Sequence, residues 1–89
     1  MTVEVELEGT LVARAGARRV RVPLGEAATV VDVVAALSEE YGPQVRPAIL
    51  EGGQLRADTV AVRASPDRER LSSDSRVEPG DTVRFRVRA

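Results

Sequence analysis

Arginine and carboxylate side chains are almost the only groups in this sequence that could take part in acid–base or ionic chemistry. The chain has 14 acidic and 13 basic residues, every basic residue is arginine, and neither histidine nor cysteine occurs. Without those two residue types, the usual general base, the thiolate nucleophile, the disulfide and the commonest metal ligands are excluded. We therefore expect a protein that is not an enzyme and that has no catalytic, metal or cofactor site.

Two acidic stretches are candidates for metal or phosphate chemistry. Glu39 and Glu40 are adjacent, and the segment 69–75 reads ERLSSDS. Solvated charges at a helix end and in a polar loop explain both stretches without a ligand. We assign no site to either of them.

The carboxyl-terminal stretch, 78–89, reads EPGDTVRFRVRA and predicts a turn followed by a strand. Proline in the second position and glycine in the third favour a type II turn. The alternation that follows places one set of side chains in the core and the other in solvent. The inward set is Val83, Phe85 and Val87, and the outward set is Arg84, Arg86 and Arg88.

Two alternating segments near the start of the chain predict a pair of strands. The segment 3–8 reads VEVELE and the segment 18–24 reads RRVRVPL, with Gly16 available for a turn between them. A period of two indicates half-buried strands, so we predict an antiparallel hairpin. Its inward residues are Val3, Val5, Leu7, Val20, Val22 and Leu24, and its outward residues are Glu4, Glu6, Glu8, Arg19 and Arg21.

The hydrophobic period then changes to that of a helix, which we predict over about 29–41. Thr29 and Asp32 have the spacing of a capping box, and Gly42 followed by Pro43 ends the segment. The residues that share one face are Val30, Val33 or Val34, Leu37 and Tyr41.

The remaining segments predict smaller elements. The segment 43–50, PQVRPAIL, predicts a short turn of helix, and Gly52 and Gly53 predict a turn. The segment 57–64, ADTVAVRA, predicts a strand with Val60 and Val62 inward, and Leu71 lies in a short edge strand. One helix can cover one face of such a sheet, so the fold class is α+β, a mixed sheet of four or five strands with one main helix across it, in a single domain, 1–89.

This pattern resembles the ubiquitin-like β-grasp proteins of the sulfur-carrier branch, namely the small subunit of molybdopterin synthase, the thiamine sulfur carrier and the small archaeal modifiers. The resemblance covers nearly the whole chain. It lies in ATVVDVVAALSEEYGP at the helix, in Gly16, in the pair Gly52–Gly53 and in VEPGDTVRF before the last strand. It implies a sheet in which the first and last strands are parallel neighbours at the centre.

The resemblance also implies a reactive end. Proteins of this family end in Gly-Gly, whose carboxylate is adenylated by a partner enzyme and then converted to a thiocarboxylate or joined to a target amine. Here the last residues read RVRA and end at Ala89. We expect a non-catalytic protein-interaction module without that tail. The alternative is a sulfur carrier or ubiquitin-like modifier whose Gly-Gly is not included in the sequence. Either function implies a protein partner, such as an adenylating enzyme or a molybdopterin-synthase-type large subunit.

The strand order of the family would place the glutamates between two sets of arginines on the outer face of the sheet. These charges form either a solvated surface with cross-strand pairs or a docking face for a partner. The residues of this possible docking face are Glu4, Glu6, Glu8, Arg19, Arg21, Arg84, Arg86 and Arg88.

Charge and hydropathy indicate where the protein acts and what it binds. A net charge of −1 argues against nucleic acid as a partner. The stretch EPGDTVRFRV also resembles the closing hairpin of swapped-hairpin transcription regulators, which leaves DNA binding as a minor alternative. There is no signal-peptide pattern and no apolar run near the ~20 residues of a membrane span, so we expect a cytoplasmic protein and no membrane partner.

Overall fold

The computed structural model describes residues 1–65 and 67–88 of the chain. A five-stranded mixed sheet is covered on one face by helices, which is the predicted two-layer α+β arrangement. In chain order the elements are β1 (Thr2–Leu7), α1 (Thr10–Ala15), β2 (Arg19–Pro23), α2 (Val30–Tyr41), α3 (Val45–Ile49), β3 (Leu50–Glu51), β4 (Gln54–Leu55), β5 (Thr59–Ser65), β6 (Glu69–Leu71) and β7 (Thr82–Val87).

The strand order of the sheet is β2-β1-β7-β5-β6. β1 pairs with β2 antiparallel and with β7 parallel, as predicted, so Glu6 lies opposite both Arg19 and Arg84. The inward residues Val3, Val5, Leu7, Val20, Val22, Val83 and Phe85 are buried, and Phe85 is fully inaccessible at the centre of the sheet. Val87, also predicted inward, is only partly buried at the end of β7. The outer face carries the charged residues.

Helix α2 packs across the inner face of the sheet and begins and ends close to the predicted residues. At its start, the predicted capping box is confirmed: both of its hydrogen bonds are present, and in one of them the backbone N–H of Thr29 donates to Oδ2 of Asp32 over 2.8 Å. It ends at Gly42, whose φ of 115° is a conformation that a residue with a Cβ rarely adopts. Its buried residues are Val30, Val33, Val34 and Leu37.

The connection between β1 and β2 is not the short turn that the sequence predicted. It contains helix α1, which buries Leu11 and Ala15 against the core and ends at Gly16 in the left-handed conformation, with φ 75°. Six residues are too few for a stable helix alone, so this helix depends on that packing and on the glycine cap. The strand pairing of the hairpin prediction is confirmed, whereas its connection was wrong.

Strand β5 is confirmed, but its predicted facing was wrong. The register places Ala61 opposite Phe85, so Ala61 is the residue that faces the core, and Val60 and Val62 lie opposite Arg86 and Arg84 on the outer face. Val60 is shielded from solvent yet lies outside the packed core cluster. The small Ala61 side chain thus lies beside the large Phe85 ring on the inner face of the sheet, where both are fully buried.

The smaller elements match their predictions. Helix α3 buries Val45 and Ile49, and β3 and β4 form a two-stranded hairpin around Gly52 and Gly53. β6 is a short edge strand that contains Leu71. No helix within the described residues is long and apolar enough to cross a membrane.

Candidate functional site

The outer face of the sheet carries a ladder of ion pairs centred on Glu6. Nη2 of Arg19 lies 2.7 Å from Oε2 of Glu6, and Nη2 of Arg84 lies 2.8 Å from Oε1 of the same carboxylate. The ladder extends to Glu8, which is 3.3 Å from Arg84, and to Glu4, which is 3.9 Å from Arg19. One carboxylate therefore joins the side chains of three neighbouring strands.

The ladder sets the ionisation of its central carboxylate. The hydrogen bond from Arg84 is the main cause that lowers the pKa of Glu6 below its ordinary value of 4.5, and the charge of Arg19 acts in the same direction. Glu6 is thus held in its charged form, with both oxygens occupied by donors. The carboxylate is therefore a fixed ionic link between β2 and β7.

Three arginines of the predicted docking face stand apart from the ladder. Arg21 lies opposite Glu4 and Arg86 lies opposite Val60, and within the described residues neither forms an ion pair. Arg88 follows the end of β7, and its backbone N–H donates to the carbonyl of Asp58 over 2.6 Å. Ala89, the predicted C-terminal end, lies outside the described residues.

A second cluster, which the sequence did not predict, lies at the start of β7. Nε of Arg63 donates to Oδ2 of Asp81 over 2.9 Å, its Nη2 donates to the carbonyl of Arg76 over 2.7 Å, and its Nη1 donates to Glu69. The same Asp81 oxygen accepts the backbone N–H of Glu78 over 2.9 Å. We call this set the Arg63 clamp.

The Arg63 clamp is a structural feature. The side chains of Arg63 and Asp81 are 16% and 5% exposed, and the hydrogen bond from Asp81 is the main cause that raises the pKa of the Arg63 guanidinium above its ordinary value. Asp81 also closes the turn 78–81, in which Gly80 has the positive φ of 87° that a type II turn requires. The only signal in the sequence was an aspartate directly after the Pro-Gly turn, since its partner is 18 residues away.

A groove lies at the opposite end of β7, where the strand finishes. Its volume is about 380 Å³, and Val87 contributes to its wall together with residues from α1, α3 and the segment before β5. We call it the basic groove, because Arg14 and Arg56 line it. Its other lining residues are Thr10, Leu11, Gln44, Pro47, Ala48 and Asp58.

Metal chemistry has no support in the part of the chain that the structure describes. Over residues 1–65 and 67–88, no group of three or more acidic side chains is close enough to hold a metal ion. The paired Glu39 and Glu40 are exposed at the end of α2, and Ser72 bonds to both Ser75 and Asp74. Neither acidic stretch noted in the sequence forms a site.

Comparison with known proteins gives similarity at the level of structure. No family model matches the sequence, and no curated protein matches it either. Two crystal structures of small archaeal modifier protein 1 from Haloferax volcanii superpose with TM-scores of 0.85 and 0.83, at 24% and 25% identity, and cover 100% and 99% of this chain and 97% and 98% of theirs.

Two further solved structures extend this similarity to other lineages. A Pyrococcus furiosus protein assigned as molybdopterin converting factor subunit 1 matches with a TM-score of 0.75 at 21% identity, over 100% of this chain and 99% of that one. A crystal structure of the BexX/CysO complex of Amycolatopsis orientalis contains a chain that matches with a TM-score of 0.76 at 17% identity, over 98% of this chain and 96% of that one.

These matches span the whole sheet and its helices. The topology in which β1 and β7 are parallel, with α2 across them, is therefore shared over the full length of the chain. It also removes the structural basis for a swapped-hairpin regulator. The chain has the ubiquitin-like β-grasp fold and resembles the sulfur-carrier proteins of that fold, as its sequence predicted.

Proposed function

We propose that this protein is a MoaD/ThiS-like β-grasp module that acts by docking its folded body onto a protein partner, without catalysing a reaction itself. The observation that carries the proposal is the full-length match to small modifier and carrier proteins, one of which was solved in a complex with another protein. The partner that fits best is an adenylating enzyme, and a molybdopterin-synthase-type large subunit is the second choice. A cytoplasmic location follows from the same proposal.

The outer face of the sheet is the surface that we assign to docking. The ladder around Glu6 holds its side chains in place before any partner arrives, which reduces the entropy lost on binding. Arg21 and Arg86 extend the face on either side without forming ion pairs within the described residues. Because the face has this excess of positive charge, the partner should present carboxylates to it.

The carrier or modifier function is the second candidate, and the end of β7 favours it. The strand finishes at Val87, and the backbone of the next residue remains at the surface beside Asp58. A Gly-Gly extension from this point would leave the folded body directly. The two structures of Haloferax volcanii carry the name modifier, which is consistent with such a role for those proteins.

One experiment separates the two candidates. The adenylating enzyme of the same organism is titrated calorimetrically with the unmodified chain, which ends at Ala89, and with a version that has Gly-Gly appended, and ATP–pyrophosphate exchange is measured in parallel. Docking predicts binding of both chains and no exchange with the unmodified one. Arg86→Glu should weaken binding, while Arg68→Glu, an exposed arginine outside the sheet face, should not.

The other results have distinct meanings. Exchange with the unmodified chain would overturn the docking proposal in favour of a carrier. Exchange only after Gly-Gly is appended, with equal binding of both chains, would assign a carrier body. If neither chain binds the adenylating enzyme or the large subunit, the proposed function is wrong.

A further inference from the structure

We propose that the basic groove at the end of β7 binds an acidic segment of the partner protein. This inference rests on the proposed docking function and specifies where, beyond the sheet face, the partner makes contact. It places a contact between the partner and the body of this protein directly beside the point where the chain leaves β7.

The charges of the basic groove are available to a ligand. Within the described residues, the guanidinium of Arg14 forms no ion pair, and Arg56 has only a long one, 3.7 Å from Asp58, between side chains that are 41% and 52% exposed. An exposed pair of this kind contributes little and exchanges readily with another carboxylate. By contrast, Arg19, Arg63 and Arg84 each contact at least two acidic residues.

Hydrogen bonds from side chains to backbone carbonyls connect the walls of the groove. Nε2 of Gln44 donates to the carbonyl of Arg14 over 2.9 Å and to that of Tyr41 over 2.8 Å, which joins the ends of α1 and α2. Nη1 of Arg56 reaches the carbonyl of Pro47 in α3 at 3.4 Å. These bonds join the backbones of α1, α2 and α3 around the groove before a ligand arrives, while the Arg14 side chain stays exposed.

Chemistry and shape both favour a peptide segment with carboxylates. Guanidinium groups bind carboxylates through paired hydrogen bonds. Between the two arginines, Pro47, Ala48 and Val87 provide an apolar lining that suits the aliphatic part of a glutamate side chain. The open shape of the groove suits an extended segment better than a compact ligand.

The test uses a hexaglutamate peptide capped at both ends, titrated into the ¹⁵N-labelled chain at low salt. Amide shifts are expected for Arg14, Gln44, Arg56, Val87 and Arg88, together with the side-chain amide of Gln44. Arg14→Glu should weaken binding about tenfold or more, because an attractive charge becomes repulsive. Arg68→Glu makes the same change of charge on an exposed residue that lies outside the groove, and should leave the affinity within about twofold.

Several results would overturn the proposal. They are the absence of shifts at millimolar peptide, shifts centred elsewhere, or equal weakening by Arg14→Glu and Arg68→Glu, which would indicate general attraction. Shifts in the groove with tripolyphosphate but not with hexaglutamate would assign a phosphate site instead. Concentration-dependent dimerisation through the groove would assign it to a second copy of this chain.

Two controls distinguish failure of the groove proposal from unfolding of a variant and from failure of the proposed docking function. The amide spectrum of each variant shows whether it folds, and Arg56→Ala provides a second variant with the same expected direction. If hexaglutamate fails to bind while the adenylating enzyme binds, the groove proposal is wrong and the docking function stands. If hexaglutamate binds in the groove while neither protein partner binds, the docking function is wrong and the groove remains an acidic-peptide site.

Discussion

Arginine side chains lie near both ends of β7, yet their hydrogen bonding is opposite. At the start of the strand, every side-chain nitrogen of Arg63 donates a hydrogen bond, and Asp81 is nearly inaccessible. At the end of the strand, Arg14 and Arg56 line the basic groove, and their only ion pair within the described residues is the long one to Asp58. An arginine whose side-chain nitrogens all donate hydrogen bonds stabilises the fold, whereas an exposed arginine without a close acidic partner is available to another protein.

The outer face combines both uses in one surface. The ladder around Glu6 satisfies Arg19 and Arg84, while Arg21 and Arg86 lie beside it in register. The predicted docking face therefore also contains both kinds of arginine, those with close acidic partners and those without. Ion pairs within the sheet account for the centre of that face, and we propose that the partner binds at Arg21 and Arg86.

Phe85 lies between the two ends, and its loss should have the largest effect on both. Phe85→Ala should lower the free energy of unfolding by about 3–5 kcal/mol, because it removes a fully buried ring from the central strand. A domain this small has roughly that much stability in total, so the variant should be largely unfolded. Thermal unfolding followed by circular dichroism measures this. A melting curve like that of the unchanged protein would show that the core is wrongly identified.

Asp81→Ala should have the next largest effect, because it opens the Arg63 clamp. The change leaves the Arg63 guanidinium, 16% exposed, without its main partner, and it frees the N–H of Glu78. Breaking a buried pair from one side costs about 3 kcal/mol. Urea unfolding compares it with Asp67→Ala, which removes an exposed aspartate near the clamp and should change stability by less than about 0.5 kcal/mol. Equal effects would mean that the clamp does not stabilise the fold.

Glu6→Arg tests the ladder through repulsion. It places a third positive charge between Arg19 and Arg84, so stability should fall by about 1–2 kcal/mol at low salt. Screening weakens exposed charge interactions, so the loss should shrink in high salt. Urea unfolding at two salt concentrations measures both effects. A loss that is independent of salt would assign Glu6 a role other than pairing.

The pH dependence of stability tests the same carboxylate with a smaller change. Because its folded pKa is lowered, Glu6 contributes stability above its unfolded pKa, and the contribution disappears as the pH falls through the folded pKa. At pH 7, Glu6→Gln should cost about 1 kcal/mol. The difference should begin to shrink as the pH falls below the unfolded pKa and should vanish only below the lowered folded pKa, where Glu6 is protonated in both states. A gap that does not shrink at all as the pH is lowered from 7 to the acid limit of the folded state would attribute the loss to packing instead of charge.

Much of the fold could be predicted because its strongest signals are local. The alternation of β1, β2 and β7, the capping residues of α2 and the Pro-Gly turn depend only on neighbours in sequence. The facing of β5 could not be predicted. Val60, Ala61 and Val62 are all apolar, so the sequence pattern does not show which of them face the core. Only the pairing of Ala61 with Phe85 decides it.

The missed features depend on contacts between distant residues. Helix α1 is stabilised by the burial of Leu11 and Ala15 in the core. A segment of six residues is too short to show a helical period in the sequence. The Arg63 clamp joins residues 18 positions apart, and the basic groove brings Arg14 next to Val87 from opposite ends of the sequence. Of the predicted docking residues, the structure joins Glu4, Glu6, Glu8, Arg19 and Arg84 in the ladder.

The most direct test of this account is an amide shift map of the ¹⁵N-labelled chain with the adenylating enzyme of the same organism. The account predicts shifts at the margins of the outer face, around Arg21 and Arg86, and in the basic groove around Arg14. The amides around the Arg63 clamp should not shift. Shifts confined to the clamp, or the absence of any shift at saturating enzyme, would contradict the claim that Arg14, Arg21 and Arg86 belong to the docking surface.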